Sequence, residues 1–294
     1  MHKEIFIIAN PTAGTQNAPH IAVNILNCLR KNGADAELVL SQKPKDAIRI
    51  AKELEHPQCA IVACGGDGTV QEVISGIKNP DTPVGIIPSG RCNDFARTIG
   101  IHKLRSPSKL AEILITGKTK LFDYGEVNGK KFLTVATLGF DSEVSRFVEN
   151  HKLILKGTAA YLYGVIKVLL NYKPIEIKLK SDDETFEGKI LLCATANTPF
   201  YGGAMKIAPQ ASPDDGFLHI CIVKNVSPLT VIRMLLRVFK GTHITHPAVK
   251  MVKTKSVEIE TAGSTNWICA DGESLTQTPC KISIMPKSVR IICP

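Results

Sequence analysis

The chain has 294 residues, 44% hydrophobic and 21% charged, so it can bury more than one sizeable core and is not a disordered polypeptide. Lysine and arginine outnumber aspartate and glutamate by 36 to 27, and the resulting +9 is spread over both halves of the chain. Such a surface suits nucleotide phosphates, anionic lipid head groups or nucleic acid, but with 5% aromatic residues and no recognition motif, nucleic-acid binding is not expected.

Residues 4–9 (EIFIIA) read as a buried strand that ends in Asn10-Pro11-Thr12-Ala13-Gly14. Ile21, Ile25, Leu26 and Leu29 share one helical face, and Asn32-Gly33 stops that helix. Strand 36–40, helix 45–54 and strand 59–63 follow, and the third strand runs into Cys64-Gly65-Gly66-Asp67-Gly68-Thr69. Beyond it Val73, Ile74 and Ile77 recur at helical spacing, so this segment is strand, glycine loop, helix. Three glycines in four residues strip the turn of side chains, which lets backbone N–H groups approach a ligand, and a helix N-terminus favours phosphate. Asp67 would repel an anion alone, so a cation or a donor hydroxyl is expected beside it; the alternative role is a helix cap.

Strand 84–87 ends in Pro88-Ser89-Gly90, and helix 93–99 follows. Strands alternating with helices imply right-handed crossovers and a parallel sheet covered on both faces. Loops 10–14, 64–69 and 88–94 then emerge at the carboxyl ends of strands, where open α/β sheets bind ligands.

From about residue 120 the pattern changes. Strands are expected at 120–127, 131–138, 175–180, 189–194, 217–223, 256–260, 267–270, 281–285 and 289–293, with Asn128-Gly129 as a hairpin turn. Helices are expected at 157–170 and 228–239. The fold class is therefore two-domain α/β. A three-layer αβα domain with a parallel sheet spans 1–121, and a mostly antiparallel β-sandwich domain spans 122–294, its last strand packing back on the first domain. The two are expected to face each other across a cleft.

Nine cysteines, an odd number with no C-x-x-C pair, read as reduced thiols of a cytoplasmic protein. No run approaches the ~20 apolar residues of a membrane span, and 5–9 is too short for a signal-peptide core. Membrane contact would be peripheral. In helix 228–240, Arg233, Arg237 and Lys240 lie opposite much of the apolar set Ile232, Leu235, Leu236 and Phe239. The preferred reading packs that apolar set on the β-domain and leaves the basic face in water; the alternative lays the helix on anionic lipid.

The chain has no G-x-x-x-x-G-K-[ST] loop, no G-x-S-x-G elbow and no H-E-x-x-H, and His243 and His246 read as loop residues. It does place acids beside glycines or in predicted loops: Asp67, Asp94 in RCNDF, Asp214-Asp215-Gly216 and Asp271-Gly272-Glu273. Phosphoryl transfer needs a phosphate cradle, a divalent cation held by carboxylates and a base for the acceptor hydroxyl. Together these clusters could supply all three parts, although any one of them alone reads as a turn or cap.

In their order, Asn10-Pro-x-x-Gly14, Gly65-Gly66-Asp67-Gly68-Thr69, Pro88-x-Gly90-x-x-Asn93-Asp94-Phe95-Ala96, Asp214-Asp215-Gly216 and Asp271-Gly272-Glu273 resemble the diacylglycerol kinase catalytic-domain family. The likeness is to its soluble bacterial lipid kinases, relatives of sphingosine kinases and, further off, NAD kinases, and it runs from Ile5 to Pro294. The resemblance implies an ATP- and Mg²⁺-dependent lipid kinase. Asn10, Pro11, Thr12, Ala13 and Gly14, with Gly65, Gly66, Asp67, Gly68, Thr69, Val70, Gln71 and Glu72, would hold ATP, with Ser41 beside the nucleotide. Glu273 would accept the lipid hydroxyl proton, with Asp271 as its neighbour or alternative base. Asp67, Asp94 and Asp214 would join a carboxylate–water–Mg²⁺ network, and a structural Mg²⁺ would bind at Ser212, Asp215 and Phe217. Lipid at a membrane surface and a homodimer are the partners the resemblance implies.

The family usually has Thr where this chain has Arg91, a long cation that would either pair with ATP phosphates or fill their site. Retained activity is the reading adopted. The alternatives are an NAD or small-metabolite kinase, and a lipid-binding regulatory protein whose catalysis Arg91 has abolished.

Overall fold

The computed structural model describes residues 4–11, 18–151 and 158–294. Contacts divide the chain into two units, Met1–Asp123 with Pro286–Pro294, and Tyr124–Met285.

The first unit contains β1 (Glu4–Ala9), α1 (Ala18–Lys31), β2 (Asp35–Leu40), α2 (Asp46–Leu54), β3 (Cys59–Gly65), α3 (Asp67–Gly76), β4 (Pro83–Pro88), α4 (Asp94–Thr98) and α5 (Pro107–Thr116), and the chain leaves it along β5 (Lys118–Val127). β1 pairs in parallel with β2 on one side and β3 on the other, and β3 pairs in parallel with β4. Every residue of β3 is buried, as a strand covered on both faces requires. Helix α1 buries Ala18, Ala22, Ile25, Leu26 and Leu29 in a core with Ile5, Ile7, Val62 and Leu114. α5, absent from the sequence reading, starts at Ser106, whose hydroxyl accepts from Lys109 N, with Pro107 in the first turn. Because β2 and β3 lie on opposite sides of β1, the order reverses there, and the carboxyl ends of β1 and β3 open a crevice.

The second unit contains β6 (Lys130–Phe132), β7 (Val135–Gly139), α6 (Phe140–Asn150), α7 (Thr158–Asn171), β8 (Ile175–Ser181), β9 (Thr185–Ala196), β10 (Phe200–Tyr201), β11 (Met205–Lys206), β12 (Leu218–Lys224), α8 (Pro228–Val238), β13 (Val249–Thr254), β14 (Ser256–Thr261), β15 (Trp267–Ala270), β16 (Glu273–Gln277) and the start of β17 (Cys280–Cys293). Its pairings are antiparallel: β16 to β15, β15 to β7, β7 to β9, β9 to β8 and β12, β12 to β13, and β8 to β14 to β17. Alternation gives two cores. Leu138, Ile190, Ile220, Ile222, Ile259 and Ile268 fill the sandwich, while Val135, Ala194, Ala196, Cys221 and Val223 face a layer that includes α6, α7 and α8. The β5–β6 hairpin turns at Asn128 and Gly129, both at positive φ as a two-residue type I′ loop demands.

Three sequence expectations are corrected here. Residues 131–138 are not one strand: Leu133 and Thr134 break the ladder because their N–H groups are donated to Asp271. Residues 281–293 form one strand, not two. Its second half returns to the first unit, where Arg290 and Ile291 pair in parallel with Pro83 and Val84 of β4. In α8 the buried residues are Val231, Met234 and Val238, while Ile232, Leu236 and Phe239 are exposed. The apolar set read as the packing face is thus largely in solvent.

Candidate phosphate site and acidic turns

In the first unit, the carboxyl ends of four neighbouring strands and the loops after them meet. Asn10 N donates to Cys64 O at 3.3 Å, Ser41 N to Ala9 O at 3.0 Å, and Ser89 N and Gly90 N both donate to Gly65 O. Gly66 is the N-cap of α3, with no side chain capping it, so the cap role considered for Asp67 is not taken. A Cβ on Gly90 would sit 2.3 Å from Gly66 Cα, and one on Gly65 would meet Thr69 Oγ1 at 2.3 Å. The two loops touch backbone to backbone, and only glycine permits it. Asn93 locks the second loop: its Oδ1 accepts from Gly90 N at 2.9 Å and its Nδ2 donates to Gly90 O at 2.8 Å, from a backbone at φ 51. Gly90→Ala is expected to destabilise the unit by about 1–3 kcal/mol and to raise KM for ATP. Thermal unfolding and ATP titration check both effects.

Asp67 opens α3 with its carboxylate largely enclosed. Burial pushes its pKa up, the N–H of Phe95 donating to Oδ1 at 3.0 Å opposes that rise, and the nearby charge of Asp94 adds to it. Asp94 is buried, and Arg97 Nε lies 3.6 Å from its Oδ1. Two enclosed carboxylates beside a glycine turn are the donor type that a divalent cation shared with phosphate oxygens takes. The donor set fits MgATP.

The other expected nucleotide residues divide. Thr12, Ala13 and Gly14 lie outside the described residues. Thr69 and Val70 are buried, and Glu72 Oε1 accepts from Lys45 N at 3.2 Å, tying the start of α2 to α3. Gln71 Nε2 donates along its own helix to Ser75 Oγ at 3.2 Å. Arg91 is exposed and has no hydrogen-bond or ion-pair partner among the described residues. All nine cysteines are unpaired, and burial pushes the Cys64 thiol up to about 12 and Cys92 to about 11. Neither is a thiolate at neutral pH.

In the second unit Asp271 and Gly272, both at positive φ, form the two-residue turn between β15 and β16, and Glu273 pairs with Ala270 at its foot. Asp271 Oδ2 accepts from Leu133 N at 2.6 Å, and Oδ1 accepts from Thr134 N at 3.0 Å and from the Thr134 hydroxyl. Its oxygens are already occupied as acceptors, so Asp271 positions the turn. Asn197, wholly buried, donates its Nδ2 to Leu133 O at 2.8 Å and its N–H to Thr134 O at 2.8 Å. Leu133, Thr134 and Asn197 were missed by sequence reasoning, because their partners lie dozens of residues away and no motif marks them. The loop carrying Asp214 and Asp215 opens at the same end of the sheet, since Ala270 pairs with Ala136, Val135 with Ala196, and Ala196 with His219. Three strand spacings, ~14 Å, separate the two loops.

A structural Mg²⁺ at Ser212, Asp215 and Phe217 does not fit this arrangement. Asp215 Oδ1 accepts from Phe217 N at 3.0 Å, and Oδ2 faces His219 Nε2 at 2.9 Å and Lys253 Nζ at 3.1 Å. Ser212 Oγ donates to Asp214 Oδ1. The set's one carboxylate is already balanced by an ammonium, so no chemistry is routed through a metal there. Lys253→Met removes a half-exposed partner and is expected to lose less than about 1 kcal/mol. In the absence of nucleotide its melting temperature should then rise with Mg²⁺ while the wild type's does not.

Residues 4–127 match the family described as diacylglycerol kinase catalytic domain, and residues 134–293 match the YegS C-terminal NAD kinase beta sandwich-like domain. A diacylglycerol kinase of Mycobacterium tuberculosis is 30% identical over 298 residues, covering 99% of this chain and 95% of that protein. One from Staphylococcus saprophyticus is 29% identical, covering 100% of this chain and 96% of that protein. A crystal structure of a diacylglycerol kinase from Bacillus anthracis superposes with a TM-score of 0.75 at 23% identity, over 99% of this chain and 97% of that one, and shows the shared fold. The chain belongs to the diacylglycerol kinase family and is an ATP-dependent kinase of that type.

Proposed function

We propose that the protein transfers the γ-phosphoryl group of ATP, in the presence of Mg²⁺, to the hydroxyl of diacylglycerol or a closely related lipid, giving a phosphatidic acid-type product. The observation that carries this reading is the contact of Gly66 with Gly90, a cradle with no side chain in it, fronted by the enclosed Asp67. Backbone N–H groups of the loops and the start of α3 would bind the phosphates. Arg91, exposed next to Gly90, would add a charge-assisted contact in place of the hydroxyl usual in the family. Mg²⁺, held by Asp67 and Asp94 with the nucleotide, would neutralise charge building on the transferred group. Glu273 would take the acceptor hydroxyl's proton while Asp271, clamped by Leu133 and Thr134, fixes the turn on which it sits.

Transfer of labelled γ-phosphate from ATP to diacylglycerol in mixed micelles containing anionic lipid tests the reading. Product that depends on Mg²⁺ supports it. Absence of product with ATP still bound sends the substrate search to other lipids and to NAD or small metabolites. Absence of both favours a lipid-binding regulator.

A further inference from the structure

The second unit leaves two apolar helix faces uncovered. On α8, Leu229, Ile232, Leu236 and Phe239 are exposed, Leu236 to 71%. Their spacing of three, four and three residues makes one continuous outward stripe. On α7, Tyr163, Ile166 and Leu170 repeat the pattern, with Leu170 75% exposed. Cations flank both stripes: Lys167 on α7 with Lys173 two residues past its end, and Arg233 on α8 with Lys240 two residues past its end. Neither helix contains an acidic residue.

The inner sides of the same helices are apolar as well. Val165 of α7 with Val231, Met234 and Val238 of α8 line a cavity of about 80 Å³. Each helix is thus greasy inward and outward and basic between, which is the composition of a helix lying in a bilayer interface and not of one washed by water.

We propose that the outer face of α7 and α8 is the surface on which this protein docks to an anionic lipid bilayer, with the leucine, isoleucine and aromatic side chains entering the acyl boundary and the flanking lysines and arginines meeting the head groups. Charge complementarity selects the occupant, since cations beside apolar side chains, on helices that carry no acid of their own, fit an anionic lipid surface and disfavour a second copy of the same face. The proposal rests on the lipid-kinase reading for its purpose, but its test does not require turnover.

The experiment is co-sedimentation of the full chain, without ATP, with vesicles of phosphatidylglycerol and phosphatidylcholine or of phosphatidylcholine alone. It compares wild type, Ile232→Asp with Leu236→Asp, Arg233→Ala with Lys240→Ala, and Val23→Asp as a control at an exposed apolar position of α1. Wild type and the control should bind the anionic vesicles. The double aspartate should bind about tenfold or more weakly, and the double alanine should lose the preference for anionic lipid. Turnover of a short-chain diacylglycerol presented as monomers should be unchanged in the aspartate variant.

Wild-type failure to bind, or equal binding by the aspartate variant, overturns the proposal. So does a wild-type dimer that the aspartates dissolve without loss of vesicle binding. If neither wild type nor any variant turns over diacylglycerol while the aspartates still abolish vesicle binding, docking stands and the diacylglycerol-substrate reading falls.

Discussion

Asp67→Asn is expected to lower kcat by about 10²–10³-fold and, without nucleotide or metal, to make the protein more stable at neutral pH. The loss follows because an amide brings no charge to the cation and phosphates. The gain follows from linkage. Burial raises the Asp67 pKa, so the folded state holds the proton more tightly than the unfolded chain, and ionisation opposes folding. That penalty is absent below the unfolded value of about 3.9, grows as pH rises through the raised folded value, and is constant above it. The asparagine variant escapes the penalty while its carbonyl still accepts the Phe95 N–H. Its melting temperature should therefore exceed the wild type's at pH 7, with the margin closing as pH falls towards 4. Turnover near the wild-type rate would remove Asp67 from the chemistry. A lower melting temperature at pH 7 would show that the buried charge is compensated in the apo protein.

Glu273→Gln and Asp271→Asn, two residues apart, are expected to fail in different ways. The first should lose about 10²–10⁴-fold in kcat with little change in melting temperature, because the half-buried side chain sits at the foot of a turn that others hold. The second keeps one acceptor oxygen but turns an amide NH₂ towards N–H and hydroxyl donors of Leu133 and Thr134. It should cost about 2–4 kcal/mol of stability and lower activity by displacing Glu273. Steady-state kinetics beside thermal unfolding separates the two. A Glu273→Gln enzyme with ordinary turnover would exclude it as the proton acceptor.

The parts of this molecule that could be read from sequence are those specified over short distances. β1, β3, β4 and the glycine loop announce themselves by apolar runs ending in Gly, Pro and Asn, and the parallel sheet follows from their alternation with helices. Asn128-Gly129 and Asp271-Gly272 likewise marked turns through positive φ alone. Position in the sandwich was not legible. β7 lies between β15 and β9, both more than fifty residues further along the chain, and no local pattern encodes that choice. The same non-locality hid the Asp271 clamp and made residues 131–138 look like one strand. Periodicity also misjudged α8. It found an amphipathic helix but could not say which of two apolar arcs was buried, because both Val231–Met234–Val238 and Ile232–Leu236–Phe239 satisfy helical spacing. β13 and α6 went unread because lysines interrupt the first and charged residues dilute the second.

The return of β17 to β4 has a consequence for how the protein is made. Polypeptide synthesis delivers the first unit's helices and four strands early, yet Ile292 belongs to that unit's core and Arg290 binds Asp81 at 2.6 Å. Until Pro286–Pro294 has been added, after the whole of the second unit, β4 presents an unpaired edge and part of the core lacks its cover. The half of the protein that carries the glycine cradle is started first and closed last. A ribosome-bound chain would carry it unfinished for most of the time of translation.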